Sequence, residues 1–446
     1  MSAISSVHRS SRANALRTAA FHVGVAMLVA GCVSTGGGSG SAGGSSGSTT
    51  QATLTFWTIN LKKNFGGFIN GLISSYQKAH PGIHITWVDV PGADIATKLL
   101  SAIASGNVPD VVNVDSPNLG PFTDKMADLS RYIPASALSD YQPGLLNSLR
   151  SNGKLTAIPW YNGGAPVGIY DMGIMGRVGF NPASPPTDYQ QVLSLAQRVY
   201  DTTKVYGTNE IPSYVNGLTA VLSYEGVPLL SPDKKTAAFD SPAGVQVLNQ
   251  FRQAYVKHAI APGAVTADIR DFPQSLDNKQ IGFQADAFPF VLTSLQSNSP
   301  SVYQHVAITK APTTKDGKYL LLGQQTLAVP AASKHQAAAA DFIRFVTNGP
   351  NQLAFCKLVP IYPSTVSTTK DAFFTDITDT SPLGQARKVI VAELPNLVDG
   401  ELGTGKDTEL SDDLSQQVRS FMQGTTSANS ALSTAAAQWN KALASQ

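Results

Sequence analysis

The chain has 446 residues, of which 42% are hydrophobic and only 14% are Lys, Arg, Asp or Glu, against about 25% charged residues in an average globular domain. This length exceeds one ordinary compact core, so we expect two lobes with appendages. The formal net charge is +2, and it becomes about −1 when the three arginines of a leader, Arg9, Arg12 and Arg17, are subtracted. Nucleic-acid partners require a strong basic field, which this composition excludes.

The first 31 residues have the form of a signal peptide. Residues 1–17 contain arginines and no acidic residue, and residues 18–30 are an apolar run. As a helix this run covers only ~20 Å, which is too short for the ~30 Å core of a bilayer. Val29-Ala30-Gly31-Cys32 then resembles the lipobox of bacterial lipoproteins, in which the cysteine becomes lipidated and N-terminal. The alternative is an ordinary cleavage site with an incidental cysteine.

Residues 32–51 are predicted to be a lipidated cysteine followed by a flexible linker. Gly, Ser and Thr dominate this segment, so it has too little apolar surface to offset the entropy of ordering. Its root-mean-square span is ~25 Å. The other cysteine, Cys356, is expected to be a small core residue rather than a reactive thiol. We therefore expect a body that is tethered to a membrane by acyl chains on Cys32 and does not span it.

The body begins with strands and helices in alternation. Strands are predicted at residues 53–58, 83–87 and 110–114, with helices at 65–79 and 95–103 between them. This order predicts an α/β lobe with a largely parallel sheet. Ligands of such sheets tend to bind at the strand ends.

Helix starts are clear in the middle of the chain. Thr187 with Gln190 forms a capping box after two prolines, and Ser241 with Pro242 supplies a cap and an N1 proline. The remaining predictions are strands at 281–283 and 306–308, an extended segment at 320–330, and helices at 337–347 and 407–444.

Several short motifs along the body together resemble the family 1 extracellular solute-binding proteins of carbohydrate importers. The resemblance runs from Leu54 to about Ser364, and its order and spacing are more specific than any single piece. The main motifs are Tyr76-Gln77-Lys78-Ala79-His80-Pro81-Gly82-Ile83, Ala104-Ser105-Gly106-Asn107-Val108-Pro109-Asp110-Val111-Val112, Ile158-Pro159-Trp160-Tyr161, Gly168-Ile169-Tyr170-Asp171, Pro185-Pro186-Thr187-Asp188-Tyr189 and Phe239-Asp240-Ser241-Pro242.

The resemblance implies the α/β type II periplasmic-binding-protein fold, in which two hinge-linked lobes close on a ligand. We expect residues 52–160 and 322–358 to form the N-terminal lobe, and 161–321 and 359–446 the C-terminal lobe. The chain is expected to cross between them near 160–165, 321–325 and 359–362. The implied function is that of the substrate-binding lipoprotein of an ABC importer on the extracytoplasmic face of a bacterial membrane. It would deliver a sugar to the permease as a monomer, without cofactor, metal or enzymatic activity.

A sugar site requires aromatic rings for C–H faces and planar polar groups for hydroxyls. Both kinds of side chain follow the predicted strand ends and crossings. The predicted ligand-binding residues are Trp57, Asn60, Asp115, Trp160, Tyr161, Asn162, Tyr224, Glu225, Asp286, Phe288, Gln324, Gln325 and Tyr362.

Other functions remain as alternatives. The same fold could bind a peptide, a polyamine or an anion, although the candidate site contains no arginine. Asp115, Glu225 and Asp286 could serve a lipid-anchored glycoside hydrolase, which would consume its ligand.

Two motif matches are set aside. Residues 400–407 nearly match a phosphate-binding loop, but Asp407 stands where a Ser or Thr is needed. His80 and His84 have a metal-like spacing that Pro81 and Gly82 interrupt, so one helical turn does not present both imidazoles.

Overall fold

The computed structural model describes residues 51–209, 219–265, 272–321 and 323–445, which belong to one compact unit within residues 49–446. The predictions for Cys32 and residues 1–50 lie outside this described part. The strands are β1 (Ala52–Ile59), β2 (Ile83–Val90), β3 (Val111–Asp115), β4 (Arg150–Ser151), β5 (Lys154–Leu155), β6 (Ile158–Asn162), β7 (Val167–Asp171), β8 (Phe283–Ala287), β9 (Val306–Lys310), β10 (Tyr319–Leu321), β11 (Gln325–Ala328), β12 (Tyr362–Pro363) and β13 (Leu397–Asp399).

Helices pack around the two main sheets. They are α1 (Lys62–Ala79), α2 (Ile95–Ser105), α3 (Ser116–Leu119), α4 (Ala135–Leu138), α5 (Pro143–Ser148), α6 (Met172–Met175), α7 (Tyr189–Thr203), α8 (Thr219–Tyr224), α9 (Pro242–Val256), α10 (Phe272–Asp277), α11 (Phe290–Asn298), α12 (Pro300–Tyr303), α13 (Gln336–Val346), α14 (Gly349–Cys356), α15 (Ala372–Thr375), α16 (Pro382–Glu393), α17 (Asp407–Gln423) and α18 (Ala428–Leu443).

The first main sheet has the strand order β12-β6-β11-β3-β1-β2. β1 is parallel to both β2 and β3, as the strand–helix alternation predicts. The sheet as a whole is mixed, because β11 runs antiparallel to β3 and β6, and β12 runs antiparallel to β6. The prediction of a largely parallel sheet therefore holds only for β1 to β3. The physical reason is that β11 enters the sheet from the edge at which β3 ends, so it must run the opposite way.

The second main sheet has the order β8-β7-β9, and both pairs are antiparallel. Val167 at the start of β7 lies opposite Ala287 at the end of β8 and Lys310 at the end of β9. One edge of this sheet therefore carries the start of β7 and the ends of its two neighbours. The chain reaches this edge directly from β6 of the first sheet.

Local sequence chemistry explains several helix ends. Gly106 follows α2 with a φ of 71°, the left-handed conformation that glycine adopts without strain. Ser241 caps α9 and accepts a hydrogen bond from the amide of Gly244, as predicted. The predicted capping box at Thr187 is wrong by one residue. Asp188 caps α7 and accepts from the amide of Gln191 at 2.8 Å, because its carboxylate reaches the free amides of the first turn.

The C-terminal segment forms two helices rather than one continuous helix. Gly424, with a φ of 84°, ends α17, and α18 begins after a cap at Ser427. Trp439 of α18 is completely buried, and its indole Nε1 donates to the carbonyl oxygen of Leu410 at 2.6 Å. This bond joins α18 to α17 inside the core of the second lobe.

Each main sheet has its own apolar core. One cluster fills the first lobe and includes β1, β3 and α13. A second contains Tyr170 and Phe283 of the second sheet with the inner faces of α17 and α18, and a third joins β7 and α16 to Leu145 of α5. A Cβ atom on Gly144 of α5 would lie 2.7 Å from the carbonyl oxygen of Leu397. The missing side chain at Gly144 thus permits close contact between α5 and β13.

The expected lobe boundaries stay predictions. The strand pairing shows which segments near these boundaries are bonded to the first sheet. β6 continues through residue 162, which is two residues past the expected boundary at 160. β12 pairs with β6 of the first sheet. The segment after β12 is bonded to that lobe as well, since the carbonyl oxygen of Ser364 accepts from the amide of Gln142 at 2.8 Å. Thr368 donates in turn to the carbonyl oxygen of Gly349.

Candidate functional site

One edge of the first sheet carries the ends of β1 and β3 and the connection to the second sheet. Asp115 ends β3 and lies opposite Gln325, which begins β11. Gln325 in turn lies opposite Tyr161 near the end of β6. Asn60 follows the end of β1 and is exposed, with a φ of 54°. We call this edge the cleft edge, and the segment after β6 leads from it to the edge of the second sheet at which β7 begins.

Asp115, Tyr161 and Gln325 are all partly exposed. Opposed residues of antiparallel strands point to the same side of a sheet, so these three side chains share one face. The Oε1 atom of Gln325 accepts from Asn113 Nδ2 at 3.0 Å, which orients the carboxamide. Its amide nitrogen is then directed away from Asn113 and can donate to a ligand oxygen.

The electrostatics of this group reflect partial desolvation. Burial raises the pKa of Asp115, although the side-chain Nδ2 of Asn118 donates to its Oδ1 at 2.8 Å. Burial, followed by the carboxylates of Asp115 and Asp89, raises the pKa of Tyr161. Tyr161 is therefore a neutral phenol near two carboxylates. Together, Asp115, Tyr161 and Gln325 can accept hydrogen bonds from a polar, uncharged ligand and donate hydrogen bonds to it.

Aromatic residues follow the end of β8, at the edge of the second sheet where β7 begins. Phe288 follows β8 and is partly exposed, and a Cβ atom on Gly163 would lie 3.6 Å from its Cδ1. Gly163 is on the connection from the cleft edge, so Phe288 lies against that connection. Phe290, the first residue of α11, is 44% exposed. The Phe288 ring thus lies at the first crossing, and Phe290 is exposed two residues further along the chain.

Phe290 is a residue that the sequence interpretation missed. The signal that would have found it is its position two residues after Phe288 at the start of a helix. The ion pair between Lys310 at the end of β9 and Glu393 of α16 was also missed, and no sequence signal connects these distant residues.

Two predicted aromatic residues lie in the core of the first lobe. Trp57 is 8% exposed and is covered by Lys98, whose Nζ lies 4.6 Å from the ring centroid. Trp160 is 1% exposed and packs against Phe56 and Phe355, at centroid distances of 6.4 and 5.9 Å. Both rings are therefore enclosed by protein in this structure.

Asp286 and Tyr224 are directed into the second lobe. The hydroxyl of Tyr189 donates to Asp286 Oδ2 at 2.6 Å, and Tyr224 also bonds to this carboxyl. Burial raises the pKa of Asp286 to about 6, against the opposing effect of the two tyrosine hydroxyls. The rings of Tyr189 and Tyr224 meet edge to face at 5.0 Å. Asp286 is thus a core carboxyl that joins β8, α7 and α8.

Glu225 lies in a groove of about 610 Å³ between α7, α9 and the turn at residues 313–315. Burial raises the pKa of Glu225, Lys315 opposes this rise, and Asp188 adds to it. This groove contains neither Asp115 nor Tyr161. The structure therefore places Glu225 apart from the residues at the cleft edge.

Asn162, Gln324 and Tyr362 are buried on the reverse side of the crossing segments. Asn162 lies opposite Tyr362, whose ring is so close to Gly164 that a Cβ atom there would lie 2.5 Å from Cδ2. Burial raises the pKa of Tyr362, and Arg387 opposes the rise. All three side chains are thus buried, in contrast to the partly exposed Tyr161.

The two motif matches have structural explanations. The Asp407 carboxylate accepts from the amides of Gly403 and Thr404 at 2.9 and 2.7 Å, so it occupies the donors that a phosphate would need. His80 is engaged elsewhere, since its Nε2 lies 3.7 Å from Asp341. Within the described residues there is no group of three His, Cys, Asp or Glu side chains that could hold a metal ion.

Cys356 is buried, and burial raises the pKa of its thiol to about 12. Its environment is that of a core residue, as expected. In the same described part of the chain, no helix is both long enough and apolar enough to cross a bilayer.

Comparisons with known proteins agree with this geometry. The chain is 26% identical over 254 residues to a Deinococcus radiodurans protein named "Probable ABC transporter-binding protein", an alignment that covers 54% of this chain and 59% of that protein. The cyclic alpha-maltosyl-1,6-maltose binding protein of Arthrobacter globiformis superposes with a TM-score of 0.74 at 20% identity, covering 89% of this chain and 100% of that one. The sugar-binding protein MalE of Xanthomonas citri superposes with a TM-score of 0.73 at 18% identity, covering 88% and 98%.

These superpositions confirm the predicted α/β fold with two lobes, as in periplasmic solute-binding proteins. The family model described as "Bacterial extracellular solute-binding protein" matches residues 40–352, which is more than half of the chain. The chain therefore belongs to the family of bacterial extracellular solute-binding proteins, as its sequence motifs indicate.

Proposed function

We propose that this protein captures a sugar or oligosaccharide between its two lobes and delivers it to the membrane permease of an ABC importer. The observation that carries the proposal is the cluster of Asp115, Tyr161 and Gln325 at the cleft edge, with Phe288 beside the connection to the second lobe. Phenyl and phenol rings pack on the C–H faces of a pyranose, and carboxylate and carboxamide groups bond its hydroxyls. The saccharides in the names of the two superposed proteins support the same ligand class.

The residues that we propose to contact the ligand are exposed or partly exposed residues from the sequence prediction, with one addition. Asn60, Asp115, Tyr161, Gln325 and Phe288 come from the sequence prediction, and Phe290 is added for its exposure beside Phe288. The buried members act indirectly. Trp57 and Trp160 support the first sheet, Asp286 and Tyr224 support the second, and Asn162, Gln324 and Tyr362 pack where the lobes join.

The protein would act outside the cytoplasm as a monomer anchored by a lipid on Cys32. The supporting observation is the order of leader, Val29-Ala30-Gly31-Cys32 and Gly/Ser linker in the sequence. Labelled palmitate fed to an expressing bacterium should be incorporated into the wild-type chain. A Cys32→Ser chain should remain unlabelled and be released from the membrane fraction, whereas equal labelling of both chains would exclude this anchor.

Ligand-dependent thermal unfolding tests the proposed ligand class. The Cys32→Ser chain would be heated with mono-, di- and oligosaccharides, and with amino acids, peptides, polyamines and phosphate as controls. A ligand at 100 times its Kd stabilises the folded state by ~2.7 kcal/mol, which raises the midpoint measurably. Mass spectrometry of the recovered ligand then separates binding from hydrolysis. A shift with an intact sugar supports the proposal, a cleaved sugar indicates a hydrolase, and a shift only with a control solute contradicts the sugar assignment.

Tyr161→Phe and Glu225→Gln provide a matched pair for the position of the site. The first change removes a hydroxyl at the cleft edge and keeps the ring that packs on Phe355 at 5.1 Å. The second removes a charge from the separate groove. Affinity for the sugar should fall about tenfold in Tyr161→Phe, as expected for the loss of one hydrogen bond, and stay unchanged in Glu225→Gln. The reverse pattern would move the site to the groove.

A further inference from the structure

Two buried carboxamides on neighbouring crossing segments each have one polar atom without a partner in the described part of the chain. They are Nδ2 of Asn162 and Oε1 of Gln324. Asn162 ends β6 and Gln324 directly precedes β11. Buried polar groups in folded proteins are almost always hydrogen-bonded. A donor and an acceptor left unpaired at the same junction therefore require an explanation.

The orientation of both carboxamides is determined by the bonds that they do make. Asn162 Oδ1 accepts from the amide of Gly164 at 2.7 Å, so the other terminal atom is the NH₂ group. Gln324 Nε2 donates to the carbonyl oxygen of Leu145 at 3.3 Å, so the other terminal atom is the carbonyl oxygen. The unpaired atoms are therefore chemically complementary. One donates and the other accepts.

The two residues lie at the same end of neighbouring strands. Gln325 pairs with Tyr161, Gln324 directly precedes Gln325, and Asn162 directly follows Tyr161. Successive residues of a strand point to opposite faces, so Asn162 points away from the face that Tyr161 and Gln325 share. Leu145, which accepts from Gln324, belongs to the same apolar cluster as the strand partner of Asn162. Both carboxamides thus point into the same junction between the lobes.

We propose that Asn162 and Gln324 form a hinge latch, in which Asn162 Nδ2 donates to Gln324 Oε1 in a second arrangement of the two lobes. A small rotation about the crossing segments changes the separation of these side chains, while each keeps its bond to Gly164 or Leu145. The latch favours the second arrangement over the one in the structure, because only there are both buried atoms satisfied. The proposal rests on the lobe motion of the proposed function and extends it to specific residues.

Distances between spin labels on the two lobes test the latch without any ligand. Labels would be attached to cysteines at the exposed positions Lys78 of α1 and Asn249 of α9, in a full-length chain whose two native cysteines are replaced by Ser and Ala. Double electron–electron resonance then reports the populations of the two arrangements. Asn162→Asp replaces the donor by an oxygen and keeps Oδ1 as an acceptor, and Gln324→Met removes the acceptor of the latch.

Each single variant should change the population ratio about five- to tenfold towards the arrangement in the structure, the effect of one buried hydrogen bond. The double variant should change it no further than either single variant, because both remove the same bond. Gln352→Met is the control, since Gln352 is buried within the first lobe with both ends of its carboxamide bonded, to Thr347 and Ser364. It should lower the unfolding midpoint and leave the ratio unchanged.

Three results would overturn the latch. The first is a single distance between the labels that is the same in every variant. The second is that the effects of the two single variants on the population ratio add in the double variant, and the third is that Gln352→Met changes this ratio as much as they do. A failure to bind sugar would leave these distances unaffected, so the latch and the proposed function fail separately.

Discussion

Asp286→Asn should remove a pH dependence of stability that the buried carboxyl imposes on the second lobe. Asp286 is 6% exposed, and burial raises its pKa from 3.8 to about 6 despite bonds from Tyr189 and Tyr224. Between these two values the folded protein holds a proton that the unfolded chain releases. The free energy of unfolding therefore falls as pH rises from 3.8 to about 6, and the loss is complete above that range.

The size of the effect follows from the difference between the folded and unfolded pKa. One pKa unit corresponds to about 1.4 kcal/mol, so the rise at Asp286 corresponds to ~3 kcal/mol of stability lost by pH 7. Asparagine is neutral at every pH and has nearly the same shape. Any hydrogen bond that it makes less well adds an offset that does not depend on pH. Because a small part of this stability is already lost at pH 4, the variant should gain ~2.4 kcal/mol relative to the wild type between pH 4 and pH 7.

Urea unfolding at several pH values from 4 to 8 measures this difference through the fluorescence of the buried residues Trp160 and Trp439. Asp128→Asn is the control. Burial raises the pKa of Asp128, but hydrogen bonds from Ser130 and Leu155 outweigh this and lower it overall. Its contribution is therefore lost progressively as pH falls below about 5 and through the unfolded value of 3.8, and the difference of this variant from the wild type should be constant between pH 5 and 8. A constant difference for Asp286→Asn as well would refute the reasoning.

Four further outcomes are expected. Gly144→Ala should destabilise the protein by about 1–3 kcal/mol, because the added Cβ atom overpacks the contact with β13. A calorimetric midpoint that matches the wild type would contradict this. The control is Gly71→Ala on an open face of α1, which should stabilise the protein by about 0.5–1 kcal/mol. Trp439→Ala should cost about 3–5 kcal/mol in urea unfolding, and a loss below about 1 kcal/mol would be inconsistent with its complete burial. Cys356 should react with a thiol reagent only after denaturation, in a chain whose lipobox cysteine is replaced by serine; rapid labelling of the native protein would show an accessible thiol. Tyr161→Phe should lower sugar affinity and leave the stability without sugar within about 0.5 kcal/mol of the wild type, and a larger loss would indicate that the hydroxyl serves the fold.

The secondary structure of the first lobe was predictable because its signals are local. The alternation in residues 53–58 and the apolar spacing of Ile95, Leu99 and Ala102 define β1 and α2, and their buried faces agree with the pattern. The cap of α7 was misassigned by one residue, because threonine and aspartate are adjacent there and both are good capping residues. Only the helix geometry selects between two adjacent candidates. The break at Gly424 is a comparable case, since a glycine is tolerated inside some helices and ends others.

The sequence by itself determined the strand–helix alternation of the first lobe and the family. Periodicity, caps and motif spacing are properties of neighbouring residues, so they do not depend on the rest of the fold. Tertiary structure alone decided which side chains at the crossings are exposed. Trp160 and Tyr161 are adjacent aromatics, yet the first is enclosed by the core and the second is partly exposed.

The adjacent residues Gln324 and Gln325 also differ in exposure. Gln325 is partly exposed at the cleft edge, and Gln324 is completely buried. Successive side chains of a strand point to opposite faces. Which face is covered depends on helices and strands contributed by distant parts of the chain. Residue type cannot supply this information, and it is available only once the lobes are assembled.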